Sequence, residues 1–147
     1  MSIRKIQSSD FIQLLPLLAE LGYPTNLDDF AKRYKRYTQN IGNDLAVCEI
    51  DTQIAGFIAW SKSYLIVSDM TRYHIDGLLV SKHFQGQQIG KALMAYVENI
   101  AMANKPAIVD LTSGLRRKND GSHLFYKKIG YQNEGTMAKA YFRKTFT

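Results

Sequence analysis

The sequence predicts an α/β fold with a mixed, mostly antiparallel sheet flanked by helices, and three observations predict it. A long apolar-striped segment from about Gln88 to Asn104 lies between two strand-like runs, Tyr73 to Val80 and Ala107 to Thr112. A strand, a helix and a strand in that order imply a crossover, so the two flanking strands should be parallel. Leu45 to Ile50 and Ile54 to Trp60 surround the polar Asp51-Thr52-Gln53, which reads as an antiparallel hairpin. Near the N-terminus, Phe11, Leu14, Leu15, Leu18 and Leu21 recur at helical spacing.

The other elements follow in order. Ile3 to Ile6 reads as a short strand, ended by Gln7-Ser8-Ser9-Asp10. The first helix should stop at Gly22-Tyr23-Pro24, since glycine takes the left-handed conformation past a helix end and proline cannot continue it. Thr25 is the expected cap of a second helix, with Asp28 in the capping-box position and Asp29 favouring the dipole. Leu27, Phe30, Ala31 and Tyr34 form its apolar face. In the long helix, Ile89, Leu93, Tyr96, Val97 and Ile100 turn toward a core. Ser122 to Ile129 reads as a short helix ended by Gly130, and a last strand is expected near Tyr141 to Lys144.

A length of 147 residues fits one domain over 1–147 with a substantial core. No apolar run is long enough for a membrane helix, and Met1 to Ile6 lacks the apolar block of a secretory signal, so no membrane partner is expected. One cysteine, Cys48, cannot close an internal disulfide; among Leu45, Ala46, Val47 and Ile50 it reads as a small core residue. An intracellular, cytoplasmic setting is expected. The net charge of +6 favours an anionic partner, either nucleic acid or a phosphorylated cofactor, although a solvated surface explains such a balance equally. The cluster Arg116-Arg117-Lys118 is too small to carry nucleic-acid binding alone, so a nucleic-acid partner is not expected.

Most functional information lies from Ile75 to Leu93, where an apolar strand enters a Gly/Gln turn and a helix begins at once. A helix start offers unpaired N–H groups and a positive dipole end, a ready seat for phosphate. A phosphate loop of the nucleotidase type needs a hydroxyl residue after Gly90-Lys91, and Ala92 stands there. A dinucleotide turn needs three spaced glycines and an acidic residue ending the next strand; only Gly86 and Gly90 occur, and Asp110 lies inside that strand. The remaining alternative is a strand-to-helix turn that binds nothing.

From Val80 the chain reads V-x-x-x-x-Q-G-x-x-I-G-x-A-L, which resembles the acyl-CoA motif of the GNAT family of N-acetyltransferases. The family pattern has Gln or Arg, two residues, Gly, one residue, then Gly or Ala. Gln85 and Gly90 match, Gly86 is the glycine common beside that Gln, and Gln88 replaces the first motif glycine. That departure matters only if the backbone at 88 approaches phosphate closely or takes a positive φ. A second block, Asn119 to Tyr131, resembles the family's later motif through Asn119, Ser122, Phe125, Tyr126, Gly130 and Tyr131. Leu111-Thr112-Ser113-Gly114 and Leu21-Gly22-Tyr23-Pro24 resemble a bacterial branch of the same family.

The resemblance implies acetyl-CoA as co-substrate, without a metal, and an amine acceptor that attacks directly in a ternary complex. It places the pantetheine arm along Leu78, Leu79 and Val80 and the pyrophosphate on amides from Gln85 through Gly86, Gln87, Gln88, Ile89 and Gly90 to Lys91. Asn119 and Phe125 complete the donor site, and Tyr126 would protonate the departing thiolate, since a phenol with an ordinary pKa of about 10 is a proton donor at neutral pH. Apart from the resemblance, Tyr126 would read as a packing aromatic and Asn119 as a helix cap. The incoming ammonium must lose a proton first. Asp76 and His74 on the donor strand are candidate bases, and a water chain could serve instead, so no base is assigned. Tyr37, Trp60, Tyr64 and Tyr73 could frame an acceptor pocket. The acceptor is expected to be a small amine; a protein lysine or N-terminus, and a non-catalytic acyl-CoA-binding sensor, are the alternatives. A homodimer is left open.

Overall fold

The computed structural model describes residues 1–113 and 121–147, which form two compact units, Met1–Asp110 and Leu111–Thr147. The elements of the first unit are β1 (Ser2–Lys5), α1 (Phe11–Leu21), α2 (Leu27–Tyr37), β2 (Asp44–Ile50), β3 (Gln53–Tyr64), β4 (Thr71–Val80), α3 (Ile89–Met102) and β5 (Ala107–Leu111). The boundary between the units falls inside β5, after Asp110. The five strands lie side by side in sequence order. The pairs from β1 to β4 are antiparallel and β4 runs parallel to β5, as the crossover through α3 requires.

Each boundary has a local cause. Gly22 ends α1 at φ +97° and donates its N–H back to Ala19 and Leu18. The cap of α2 is Asn26 rather than Thr25: its side-chain oxygen accepts from the Asp29 N–H, and Asp28 and Asp29 occupy the first turn. The β2–β3 turn runs through Asp51 and Thr52, both at positive φ. β3 extends to Tyr64, four residues beyond the expected Trp60, and pairs with β4 from Gly56 to Tyr64.

Apolar residues from α1 and α2 cover one face of the sheet. Phe11, Leu14, Leu17 and Phe30 pack with Leu45, Val47, Ile54 and Phe57, and Phe11 meets Phe30 edge-on at 5.0 Å. On the opposite face lies α3, with Leu93, Met94 and Val97 wholly buried. The Trp60 and Tyr96 rings sit 5.8 Å apart there. Each fully buried aliphatic side chain contributes about 1.5–3 kcal/mol by leaving water. Cys48 is fully buried and its thiol pKa is pushed up by that burial, in keeping with its reading as a small core residue. A Cβ on Gly56 would lie 2.6 Å from the Leu79 carbonyl oxygen, so only glycine lets β3 and β4 approach so closely there.

The second unit contains α4 (Ser122–Lys128), which Gly121 precedes at φ +89°. The expected strand at Tyr141 to Lys144 is not formed. Strand structure needs a neighbouring backbone as well as suitable side chains. Tyr141 and Phe142 are instead exposed, at 72% and 89%.

Candidate functional site

β4 carries two groups of polar and apolar residues in succession. Its second half, Leu78, Leu79 and Val80, is half-buried and paired with Ile58, Phe57 and Gly56 of β3. The strand ends at Ser81, whose buried N–H donates to the Ala55 carbonyl and whose hydroxyl accepts from the His83 N–H. A short turn of helix over Lys82–Phe84 then leads into the Gln85 to Gln88 turn and α3. The predicted phosphate-binding residues Gln85 to Lys91 therefore sit where a half-buried strand hands over, past the buried Ser81, to a helix start.

Two residues of that turn take left-handed conformations, Gly86 at φ +82° and Gln88 at φ +63°. Glycine tolerates this without strain, whereas an L side chain costs about 1–2 kcal/mol. The replacement of the motif glycine by Gln88 is thus a departure with a conformational cost. Gln88 is the residue that caps α3, and no side chain closes the cap. Together with Ile89, Gly90 and Lys91, it supplies the four N–H groups that a helix leaves without internal partners. The wholly buried Ile89 side chain pins this first turn to the core, while Lys91 is exposed. No acidic residue lies in the first turn to oppose an anion.

The first half of β4 carries a separate polar cluster on the face that α1 and α2 cover. Between Ala59 and Trp60 the pairing of β3 with β4 shifts by one residue, leaving Asp76 as the extra residue of a bulge on β4. The bulge turns the Asp76 side chain toward the end of α2, where its Oδ2 accepts a hydrogen bond from the Tyr37 hydroxyl. Burial, and then the Asp76 carboxylate, push the Tyr37 phenol far above its ordinary range, so it remains a donor. Two residues back, His74 Nδ1 lies 2.8 Å from Asp110 Oδ1, and Arg72 Nε donates to Asp110 Oδ2 at 2.8 Å. Burial alone would raise the Asp110 pKa, but the bonds from His74 and Arg72 outweigh it and hold the group below the usual carboxylate range.

Tyr37 also lines an open recess of about 590 Å³ with Arg33, Arg36, Gln39, Asn40 and Asn43. Of the aromatics considered for an acceptor pocket, Tyr37 adjoins polar groups, Trp60 and Tyr73 are core residues, and Tyr64 is exposed beneath the Lys62 ammonium. Arg72, Tyr37 and Asp110 are the members of this cluster that sequence reading did not connect to His74 and Asp76. A carboxylate in the middle of the apolar run Ala107 to Leu111 was the available signal.

Phe125 and Tyr126 lie on α4 of the second unit, their rings 5.1 Å apart, with the Tyr131 ring 6.3 Å from Tyr126. Both are half-buried. Asn119 lies outside the described residues. Among the described residues, no group of three or more acidic, histidine or cysteine side chains is placed to hold a metal, and no helix is long and apolar enough to cross a membrane.

Comparison with known proteins converges on one family. The pattern of the acetyltransferase (GNAT) family matches residues 4–131. A glucosamine 6-phosphate N-acetyltransferase of Arabidopsis thaliana is 28% identical over 149 residues, covering 95% of each chain. A GNAT family acetyltransferase of Staphylococcus aureus superposes with a TM-score of 0.79 at 27% identity, over 99% of this chain and all of the other. An aminoglycoside 6′-N-acetyltransferase of Acinetobacter haemolyticus shares the fold, with a TM-score of 0.78 over the full length of both chains at 15% identity. With a family match that runs from β1 past α4, over a strand–turn–helix in which the helix start has no side-chain cap, this chain belongs to the GNAT family, whose members transfer acetyl groups from acetyl-CoA.

Proposed function

We propose that the protein acetylates the primary amine of a small molecule, with acetyl-CoA as donor and direct attack in a ternary complex. The observation that carries this reading is the Gln85 to Lys91 turn, with its left-handed Gly86 and Gln88 and the uncapped start of α3. In it the pyrophosphate takes the amides of Gln85, Gly86, Gln87, Gln88, Ile89, Gly90 and Lys91, and the pantetheine follows Leu78 to Val80. The resemblance to the family assigns Phe125 and Asn119 to holding the donor as well.

The chemistry needs a neutral amine and a protonated leaving group. The amine nitrogen forms a bond to the thioester carbonyl carbon, the C–S bond breaks, the thiolate takes a proton from the Tyr126 hydroxyl, and the proton that the nitrogen sheds as the amide forms restores that hydroxyl. A phenol with an ordinary pKa of about 10 holds that proton at neutral pH. The ammonium substrate carries one proton more than the amide and thiol products together, so each turnover releases one proton.

The Arg33–Arg36 recess supports an acceptor with an anionic substituent, because neither guanidinium has an acidic partner among the described residues. The relative named for glucosamine 6-phosphate favours the same class. Release of free CoA in the presence of glucosamine 6-phosphate, other amino-sugar phosphates, polyamines, aminoglycosides and lysine peptides tests the reading. Turnover is expected with a small amine. Tyr126→Phe is expected to lower kcat by about 10²-fold or more with little change in acetyl-CoA affinity. Full turnover by that variant would remove Tyr126 from the acid role, and turnover of peptides alone would replace a small acceptor by a protein one.

A further inference from the structure

The cluster on the first half of β4 has two polar atoms that face each other and have no hydrogen-bond partner among the described residues. Asp76 has committed Oδ2 to the Tyr37 hydroxyl, which leaves Oδ1. His74 has committed Nδ1 to the neighbourhood of Asp110, which leaves Nε2. These two remaining atoms are 4.0 Å apart. A nitrogen at an ordinary hydrogen-bond distance of about 2.9 Å from each would close a triangle on that base. One ammonium group therefore fits between them with a hydrogen directed at each. The side chains are 18% and 39% exposed, so a ligand can reach the gap.

We infer that Asp76 Oδ1 and His74 Nε2 form the subsite for the acceptor's primary ammonium, in which Asp76 binds the cation and His74 removes its proton. The assignment rests on the acetyltransferase reading above and supplies the base that sequence analysis left unassigned.

Which ring nitrogen carries hydrogen decides whether this works. Arg72 Nη2 lies 2.9 Å from Nδ1 and Asp110 Oδ1 lies 2.8 Å from it, and one nitrogen cannot accept from the first while donating to the second. If Nδ1 were the bare nitrogen, its lone pair would face a full carboxylate charge at contact distance. With hydrogen on Nδ1, Asp110 accepts a charge-assisted bond, and Arg72 keeps its own bond through Nε to the same carboxylate. Nε2 is then the basic nitrogen, and it is the one turned toward Asp76. Asp110 acts as a positioning residue that sets this tautomer and steadies the imidazolium formed when Nε2 takes the proton.

The proton balance is simple. The ammonium gives one proton to Nε2 and becomes a neutral amine, which can attack a thioester. The imidazolium returns that proton to solvent, accounting for the one proton released per turnover. The charged and titratable groups around His74 are Arg72 and Asp76 on β4, Asp110 on β5 and Tyr37 at the end of α2, with Asp44 of β2 beyond Tyr37. Lys5 neutralises Asp44 at 2.6 Å, so the balance at the gap is the Asp76 and Asp110 carboxylates against the Arg72 guanidinium, which favours a cation there.

Nitrogen NMR of the His74 ring provides a test that needs no turnover. Hydrogen on Nδ1 at neutral pH is expected, together with a saturable shift of the Nε2 signal on titration with propylammonium chloride that Asp76→Asn abolishes. Hydrogen on Nε2, or no Nε2 response to propylammonium, would overturn the proposal. The kinetic test uses the amine returned by the acceptor screen. His74→Gln is expected to lower kcat/KM by about 10²-fold or more at neutral pH, with a deficit that shrinks as rising pH supplies free amine. Its acetyl-CoA affinity and thermal midpoint should stay near those of the unaltered protein. Asp110→Asn should move ring hydrogen toward Nε2 and change the pH profile in the same sense. A His74→Gln enzyme within threefold of the original, or one with a deficit that does not vary with pH, would also overturn it. If the unaltered protein turned over no amine, the acetyltransferase reading would fall and this assignment with it. Turnover with the wrong tautomer would overturn this assignment alone.

Discussion

Gln88 is the residue at which sequence and conformation pull apart. Its place in the motif belongs to glycine, and its φ of +63° is the conformation for which glycine is suited. Gln88→Gly is therefore expected to raise stability by about 0.5–1 kcal/mol, the usual order when a left-handed position loses an L side chain. Chemical denaturation would measure it, and a lower midpoint with unchanged slope would show that the Gln88 side chain contributes more than its backbone costs. The motif residues themselves could be read from the sequence because glycine and glutamine at fixed spacing between a strand and a helix mark one kind of turn. The links from Tyr37 to Asp76 and from His74 to Asp110 could not. They join residues 39 and 36 positions apart, and they depend on a bulge that no local pattern announces. Asp76 lies on the Tyr37 side only because one extra residue reverses the alternation of β4 at that point.

At the scale of elements, Arg4 ties β1 to its neighbours. Its guanidinium donates to both Asp10 oxygens, at 2.8 and 2.9 Å, and to Glu49 of β2 at 2.6 Å. Asp10 also accepts from the Gln7 N–H, and it is only 5% exposed. The hydrogen bond from Arg4 is the chief cause that holds its pKa below the ordinary carboxylate value. A lowered native pKa means that the folded state binds this proton less readily than the unfolded chain. The stabilisation is accordingly complete above the unfolded value of about 3.9 and is lost as pH falls through the native one. Asp10→Asn is expected to cost about 1–3 kcal/mol at pH 7, with a difference from the original that narrows toward pH 3. Thermal unfolding across that range checks it; an equal difference at both ends would mean that the charge of Asp10 is not what matters. Elements with self-contained signals were legible. Gly22 ends α1 where expected, and the hairpin turn falls at Asp51 and Thr52. The segment from Tyr141 to Lys144 has strand-forming residues without a strand, because pairing depends on a partner that composition does not reveal.

For the whole molecule, the order of elements determines where chemistry can occur. The crossover from β4 through α3 to β5 puts a helix start directly after a half-buried strand end, and no acidic side chain occupies the first turn of that helix. The positive net charge of +6 acts in the same direction at long range. Family membership accounts for the donor, and the polar cluster beside Tyr37 is the proposed place of the acceptor. Fold class was readable because it rests on periodicity, and the proposed donor turn was singled out by short spacing. The proposed acceptor cluster was not, since it gathers Arg33, Tyr37, His74, Asp76 and Asp110 from three separate elements. Isothermal titration with acetyl-CoA, run beside NAD and ATP, tests the central claim most directly. Saturable one-to-one binding of acetyl-CoA, with little heat from the two nucleotides, is the predicted result; absence of acetyl-CoA binding, or equal binding of ATP, would contradict the account.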